Sequence, residues 1–275
     1  LATQRSQNDN CHDNIMIDIK EQRDDESEYW QGTDKSQNLA VLPLVPSPSI
    51  IQIQQSHGPA LKQMQCRFPD ASTHDLIRFL KARKYDVNKS ASMYGAHLKW
   101  REDKFPILEE GVKETLATRK FYMLDDLDRG GRPIIYYCLR RFKEMDYVLE
   151  DEINALIYLV EHKVIPRFGL CTDTKMFTVL IDMSGVRSLP LSFLRRLNTV
   201  MEANYPETLF RTVLFPVPYF LQKVVSGSLA FVDKKTRDKF AYVNDIKSLE
   251  NFAMIPVKKM GPDVSEMLKS KRLKY

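Results

Sequence analysis

Past the middle of this 275-residue chain lies the segment Lys175-Met176-Phe177-Thr178-Val179-Leu180-Ile181-Asp182-Met183. This almost continuous run of β-forming, largely apolar residues is typical of a strand buried on both faces. On its C-terminal side, residues 191–203 show helical periodicity and residues 211–217 form a second apolar run. In the other direction, residues 151–165 form an amphipathic helical pattern, and residues 132–140 read as a strand. The alternation predicts an α/β fold with a mainly parallel sheet and crossover helices.

A small helical cap is predicted ahead of this sheet. Ser72 and Asp75 form a capping box, and a second helix follows Asp86 with apolar residues at helical spacing. Residues 1–60 are rich in Asp, Gln, Asn and Ser without sustained periodicity, which predicts disorder. Beyond the sheet, residues 221–232 and 236–243 read as helical, and residues 255–260 as an edge element.

These patterns divide the chain into four predicted parts. They are an acidic, largely disordered segment (1–62), a helical subdomain (63–112), a larger domain containing the sheet (113–265) and a basic tail (266–275). Residues 1–65 hold five basic and nine acidic side chains, a net charge of −4, so the rest of the chain carries +9. A basic body of this kind suits an anionic partner such as a membrane surface or a nucleic acid.

Several classes of protein are disfavoured by what the sequence contains. The longest uncharged stretch, residues 36–61, is interrupted by prolines and too polar to span a bilayer. Four widely spaced cysteines predict reduced thiols and a cytoplasmic protein. No nucleophile elbow, phosphate loop, metal-binding histidine pair or zinc-finger pattern is found, so we expect neither an enzyme nor a nucleic-acid-binding protein, and no cofactor or metal.

Three motifs lie far apart in the chain, namely Arg78-Phe79-Leu80-Lys81-Ala82-Arg83-Lys84-Tyr85-Asp86, Asn204-Tyr205-Pro206-Glu207-Thr208-Leu209 and Thr236-Arg237-Asp238-Lys239-Phe240, with Asp128-Arg129-Gly130-Gly131-Arg132-Pro133 between the first two. In this order they resemble the CRAL-TRIO lipid-binding family, most closely its phosphatidylinositol-transfer members. The resemblance spans roughly residues 66–265. It implies a sheet and helices that enclose an apolar lipid pocket, preceded by a helical cap.

The resemblance also implies a phosphatidylinositol headgroup site at Lys84, Glu207, Lys239 and Thr208. Lys239 would bind the phosphate, Glu207 would accept hydrogen bonds from inositol hydroxyls, and Lys84 would pair with Glu207 or the headgroup. These roles suit the side chains, because an ammonium offers three donors and a carboxylate accepts from hydroxyls. Some relatives carry arginine where this chain has Thr208, so the site here lacks one cation.

Lipid-pocket residues are expected on the central strand and its neighbours, namely Tyr122, Tyr136, Phe177, Val179 and Ile181. Phosphatidylcholine-binding relatives have small hydroxyl residues about where this chain has Phe177 and Val179. A second ligand would therefore be more apolar, of the sterol, retinoid or tocopherol type. Thr178 should face the opposite side of the strand.

An apolar segment after residue 214 is predicted to form either a mobile gate or a plain buried helix pair, and the Ser226-Gly227-Ser228 break favours the gate. Its residues are Phe215, Tyr219, Phe220, Val224, Gly227, Leu229, Phe231 and Val232. Three neighbouring basic residues, Lys234, Lys235 and Arg237, are candidates for docking on an anionic membrane.

The sequence thus predicts a monomeric, peripherally membrane-associated protein that transfers or presents phosphatidylinositol, with a Golgi or endosomal location in keeping with that role. A phosphoinositide kinase or a trafficking protein would be its partner. Two alternatives stay open at this point: a lipid-sensing regulatory scaffold, and a carrier of another hydrophobic ligand.

Overall fold

A five-stranded sheet forms the centre of the protein. The computed structural model describes residues 50–142, 147–168, 175–186, 189–217 and 238–251. The strands run in the order β1-β2-β3-β4-β5, with β1 antiparallel to β2 and every other neighbouring pair parallel. Their bounds are Phe121–Leu127 (β1), Pro133–Cys138 (β2), Phe177–Asp182 (β3), Leu209–Phe215 (β4) and Phe240–Tyr242 (β5). The predicted α/β fold with a mainly parallel sheet is confirmed.

Helices surround this sheet and form a separate cluster ahead of it. In the described residues they are Ile50–Arg67 (α1), Thr73–Ala82 (α2), Val87–Lys104 (α3), Lys113–Ala117 (α4), Leu149–Leu159 (α5), Leu191–Asn204 (α6) and Ile246–Asn251 (α7). No helix among the described residues is long and apolar enough to cross a membrane.

The central strand β3 separates two hydrophobic cores. Its side chains alternate, because successive residues of a strand point to opposite faces. Phe177 and Val179 join the larger core, to which α5 and α6 contribute, whereas Leu180 joins a smaller core that includes Leu249 of α7. Thr178 points away from Phe177 and Val179, as the alternation predicts, and its hydroxyl donates to Asp128 at 2.7 Å.

The hairpin between β1 and β2 was not predicted as such, because β1 was missed. A buried carboxylate organises its turn: Asp128 accepts from the backbone N–H groups of Gly130 and Arg132 and from Arg132 Nε at 2.8 Å. Gly131 takes a φ of 75°, a conformation that suits glycine. The Arg132 guanidinium then lies 3.3 Å from the centre of the Phe210 ring, which ties the hairpin to β4.

The prediction of helix over residues 236–243 is wrong where the structure describes it. Phe240–Tyr242 is the edge strand β5, parallel to β4, with Thr212 N–H donating to the Lys239 carbonyl at 3.0 Å. The charged residues before it suggested a solvated helix, but Phe240, Tyr242 and Val243 are β-formers that extend the sheet. The predicted helix at 221–232 and the edge element at 255–260 lie outside the described residues.

The helical subdomain starts earlier than the sequence suggested. Helix α1 begins at Ile50, whereas the boundary was predicted at residue 62. Its residues Ile53, Leu61 and Met64 are buried with Leu76, Phe79 and Tyr94 in one hydrophobic cluster. The Gln-rich sequence and the internal Pro59 hid this helix, whose kink lies at His57. The predicted cap of α2 is confirmed, since the Ser72 side chain accepts from Asp75 N–H.

The helix predicted over residues 151–165 is not regular to its end. Helix α5 ends at Leu159 and is followed by a π-helical turn, Val160–Val164, and a 3-10 turn, Ile165–Arg167. A π turn contains one more residue than a regular α-helical turn, so it changes the directions in which the following side chains point. Such turns are frequent at functional sites. Glu161 lies within this turn.

Candidate functional site

The Tyr-Pro-Glu motif forms the turn that joins α6 to β4. Tyr205 and Pro206 are buried, and Glu207 is partly buried with a φ of 59°. Thr208 holds the turn closed, because its hydroxyl donates to the Tyr205 carbonyl at 2.7 Å. The Thr208 carbonyl in turn accepts from Phe177 N–H at 2.9 Å. The turn is therefore fixed to the starting edge of β3 and β4.

The loop after α2 approaches this turn from the helical subdomain. Lys84 and Tyr85 have φ values of 52° and 62°, and Lys84 is exposed. The pKa of Tyr85 is raised by its burial and then by the Glu207 carboxylate, which shows that the two side chains are electrostatic neighbours. The Tyr85 ring also stacks on His57, with 3.5 Å between ring centroids. The structure thus brings the Lys84 segment to the Glu207 turn.

Lys239 reaches the same edge from β5. Its Nζ donates to the Leu209 carbonyl at 2.7 Å, and Leu209 is two residues beyond Glu207. The side chain is partly buried. Three segments far apart in sequence, which carry Lys84, Glu207 and Lys239, therefore approach one another near the start of β4. Two ammonium groups and one carboxylate can bind a phosphate together with a hydroxyl-rich ring.

Further basic residues surround this edge. Arg78 donates to the Pro206 carbonyl at 3.4 Å and pairs with Asp75 at 2.6 Å. Burial, followed by the positive charges of Lys175 and Arg78, lowers the pKa of His74 to about 4. Basic side chains of α2 and of the residues before β3 therefore lie close to His74.

Sequence reasoning did not identify the residues that contact Asn204 and Tyr205, at the start of the Tyr-Pro-Glu turn. Arg101 Nη1 donates to Glu161 Oε1 at 2.7 Å, and Tyr205 Oη donates to the same oxygen at 2.7 Å. His97, one turn before Arg101 on α3, has its Nδ1 3.2 Å from Oδ1 of Asn204 at the end of α6. No local pattern could have paired these residues, because their partners are 44 to 107 positions apart.

The five predicted pocket residues do not share one face of the sheet. Phe177, Val179 and Ile181 belong to the larger core, whereas Tyr122 and Tyr136 belong to the smaller one. The parallel register places Tyr136 beside Leu180, and their side chains pack in the same smaller core. The Tyr136 hydroxyl donates to Asp182 at 2.7 Å. The two tyrosines and the three β3 residues therefore cannot line a single cavity.

The predicted gate falls almost wholly outside the described residues. Phe215, its first member, is the last residue of β4 and is fully buried in the smaller core. The remaining gate residues (Tyr219, Phe220, Val224, Gly227, Leu229, Phe231 and Val232) and the docking candidates (Lys234, Lys235 and Arg237) lie outside the described residues. No group of His, Cys, Asp and Glu in the described part of the chain could hold a metal ion.

Comparison with known proteins agrees with this architecture. The chain is 25% identical over 224 residues to "Phosphatidylinositol transfer protein CSR1" of Eremothecium gossypii, covering 73% of this chain and 49% of that protein. It is 32% identical over 200 residues to "Protein real-time" of Aedes aegypti, covering 64% of this chain and 29% of that protein. It thus spans half or less of the length of these curated relatives.

A solved structure shows the same fold. The "Crystal structure of Sfh5" matches with a TM-score of 0.54 and 17% identity, covering 77% of this chain and 82% of that one. The family model of the CRAL/TRIO domain matches residues 116–257, which include the whole sheet and the turn at Glu207. This chain therefore belongs to the CRAL/TRIO family of lipid-binding and lipid-transfer proteins.

Proposed function

We propose that this protein binds phosphatidylinositol and exchanges it at membrane surfaces. The observation that carries the proposal is the approach of the loop containing Lys84 and Tyr85, and of Lys239, to the turn at Glu207. The chain is similar to relatives named as phosphatidylinositol transfer proteins, which supports the same ligand. The headgroup would occupy the space between the loop after α2, the turn after α6 and the start of β5.

Each side chain has a role that its surroundings allow. Lys239 donates to the Leu209 carbonyl in this structure, and its ammonium group would bind phosphate oxygens of the headgroup. Glu207 would accept from inositol hydroxyls, and the exposed Lys84 would close the site from the helical subdomain. Thr208 would act indirectly, because its hydroxyl already donates to the Tyr205 carbonyl.

The acyl chains require an apolar compartment with an entrance. Withdrawing each methylene from water contributes about 0.8 kcal/mol, so a two-chain lipid cannot leave at a useful rate through water alone. The segment that contains Phe220, Gly227 and Phe231 would form the mobile gate, opening when the protein docks on an anionic membrane. The role proposed here is physical transfer or presentation of a lipid, to a phosphoinositide kinase or a trafficking protein, with no covalent step.

A second, apolar ligand is favoured by one observation. Phe177 and Val179 lie on the same face of β3 and offer no hydroxyl to a choline phosphate. A ligand that contacts this face would therefore be held by apolar packing, as a sterol or a tocopherol would be.

Lipid loading of single variants tests the headgroup site. We expect Lys239→Ala and Glu207→Ala each to lower the affinity for phosphatidylinositol roughly ten- to hundredfold, because hydrogen bonds to charged groups contribute about 1.5–3 kcal/mol. Uptake of a fluorescent phosphatidylinositol from vesicles would be measured, followed by its transfer to acceptor vesicles. Lys99→Ala, at an exposed lysine of α3, is the matched control and should behave as wild type.

The same assay separates the alternatives. Unchanged phosphatidylinositol uptake by Lys239→Ala would overturn the headgroup assignment. Stoichiometric binding by the wild type without transfer to acceptor vesicles would instead indicate a lipid-sensing scaffold.

A further inference from the structure

The π-helical turn after α5 places the Glu161 carboxylate against Tyr205 of the Tyr-Pro-Glu turn. Glu161 lies in this turn, with a side chain only 15% exposed. Its Oε1 accepts from both Arg101 Nη1 and Tyr205 Oη at 2.7 Å, and its Oε2 is 3.5 Å from Arg101 Nη2. One acidic group therefore joins α3 of the helical subdomain to the end of α6.

Tyr205 is held at both its side chain and its backbone. The ring packs edge-on against Trp100 with 6.0 Å between centroids, and the hydroxyl donates to Glu161. Its N–H donates to the Met201 carbonyl at 2.8 Å, and its own carbonyl accepts from the Thr208 hydroxyl. Burial and then the Glu161 carboxylate raise the pKa of Tyr205, so the phenol remains a proton donor. Tyr205, two positions before Glu207, is thus fixed through both its side chain and its backbone.

Two more contacts attach the same turn to the helical subdomain. His97 on α3 meets Asn204, and Arg78 on α2 donates to the Pro206 carbonyl. Three consecutive residues, Asn204, Tyr205 and Pro206, are therefore held by α2, α3 and the π turn. The residue that follows them, Glu207, takes a left-handed backbone conformation. Such a conformation costs a non-glycine residue free energy and persists only where its surroundings fix it.

We propose that Glu161, bridging Arg101 and Tyr205, is a positioning residue for headgroup recognition. It fixes the turn so that the Glu207 carboxylate faces the hydroxyls of a polyol headgroup, and it acts through Tyr205 without touching the lipid. This inference rests on the proposed function, because it concerns the same headgroup. Glu161 is the second residue of the π turn, which begins at Val160.

Selectivity between two lipids distinguishes positioning from plain stabilisation. Uptake of phosphatidylinositol would be compared with uptake of phosphatidylglycerol carrying the same acyl chains, for wild type, Glu161→Gln and Tyr205→Phe. Glutamine keeps the size of the side chain and an acceptor oxygen but loses the charge that holds Arg101, whereas phenylalanine loses only the hydroxyl. We expect Tyr205→Phe to reduce the preference for phosphatidylinositol roughly three- to tenfold, because one hydrogen bond that orients Glu207 is lost. Glu161→Gln should reduce it in the same direction.

A matched ion pair serves as the control. Arg196 and Glu150 join the first half of α6 to the start of α5 at 2.8 Å, away from the turn at Glu207. Glu150→Gln should leave the lipid preference unchanged. Amide hydrogen exchange supplies a readout without lipid: the N–H groups of residue 205, Glu207 and Thr208 should exchange faster in Tyr205→Phe than in wild type, with the residues of α6 unaffected.

The possible outcomes distinguish failure of the positioning role of Glu161 from failure of the headgroup site. If Lys239→Ala loses phosphatidylinositol while Tyr205→Phe and Glu161→Gln keep the wild-type preference, the positioning role is wrong and the headgroup site stands. An equal loss of both lipids in Tyr205→Phe would show a structural role only and would also overturn the proposal. If Lys239→Ala has no effect, the headgroup site itself is wrong, and the positioning role falls with it.

Discussion

At the scale of single residues, two buried carboxylates hold the two ends of β3. Asp128 accepts from the Thr178 hydroxyl near the start of the strand, and Asp182 at its end accepts from Tyr136 Oη, Arg140 Nη1 and Ser184 N–H. Both side chains are completely buried. An unpaired charge there would cost several kcal/mol, so these hydrogen bonds are required for the fold. Neither carboxylate is among the residues proposed to bind the headgroup.

His74 gives the first prediction at this scale, a loss of stability in acid. Burial and the charges of Lys175 and Arg78 hold its pKa at about 4 in the folded protein, below its ordinary value of 6.5. The unfolded chain therefore binds this proton more tightly. The contribution to stability is complete above about pH 6.5 and is lost progressively as the pH falls towards 4.

The measurement compares thermal unfolding at pH 7 and pH 5. We expect the midpoint to fall less for His74→Gln than for wild type, since glutamine cannot be protonated. The exposed His162, changed to glutamine, controls for the loss of a histidine elsewhere. Parallel pH dependences in wild type and His74→Gln would show that His74 is not the acid-sensitive group.

At the scale of helices and strands, the elements predicted from sequence are those with local signals. Strands β3 and β4 have nearly continuous apolar runs, and α2 has its Ser72 cap. Strand β5 was assigned as helix because its pairing with β4 depends on residues far away in sequence. Strand β1 was missed since it lies at an edge and includes Asp125 and Asp126.

The candidate site divides in the same way. Lys84, Glu207 and Lys239 are predicted from sequence because their motifs are short and contiguous. Contacts near these motifs, such as Arg101 with Glu161 and His57 with Tyr85, arise only when distant helices pack. A single sequence contains no local pattern for such pairs.

Helix α1 gives the prediction at this scale. Leu61 is buried against α2 in the core of the helical subdomain, whereas its neighbour Lys62 is exposed. We expect Leu61→Ala to lower the free energy of unfolding by about 2–5 kcal/mol, as leucine-to-alanine changes in cores do. Lys62→Ala should change it by less than about 0.5 kcal/mol. Urea denaturation would measure both, and similar values for the two would mean that α1 does not belong to the core.

At the scale of the whole molecule, charge is distributed unevenly along the chain. Residues 1–65 carry −4 and residues 66–275 carry +9. Docking on an anionic membrane would use the basic part, and each lysine or arginine near the surface contributes about 1 kcal/mol, which salt screens. We therefore expect binding to phosphatidylserine-containing vesicles to weaken as ionic strength rises.

A triple variant locates the docking face. Replacing Lys234, Lys235 and Arg237 by alanine should weaken vesicle binding and flatten its salt dependence. A control that removes the same charge from exposed lysines of the helical subdomain (Lys62, Lys89 and Lys99) should have a smaller effect. Co-sedimentation at low and high salt gives the comparison. Equal losses in the two variants would mean that the basic residues act as a diffuse charge without a docking face.

The left-handed backbone at Lys84, Tyr85 and Glu207 has a consequence for how this protein can evolve. L-residues in this conformation cost roughly 1–2 kcal/mol each, and glycine would relieve that cost. A laboratory selection for heat resistance alone would thus favour glycine at Lys84 and Glu207, which are proposed to recognise the headgroup. Keeping the larger residues requires selection for ligand binding. At these positions, selection for stability and selection for lipid recognition therefore favour different residues.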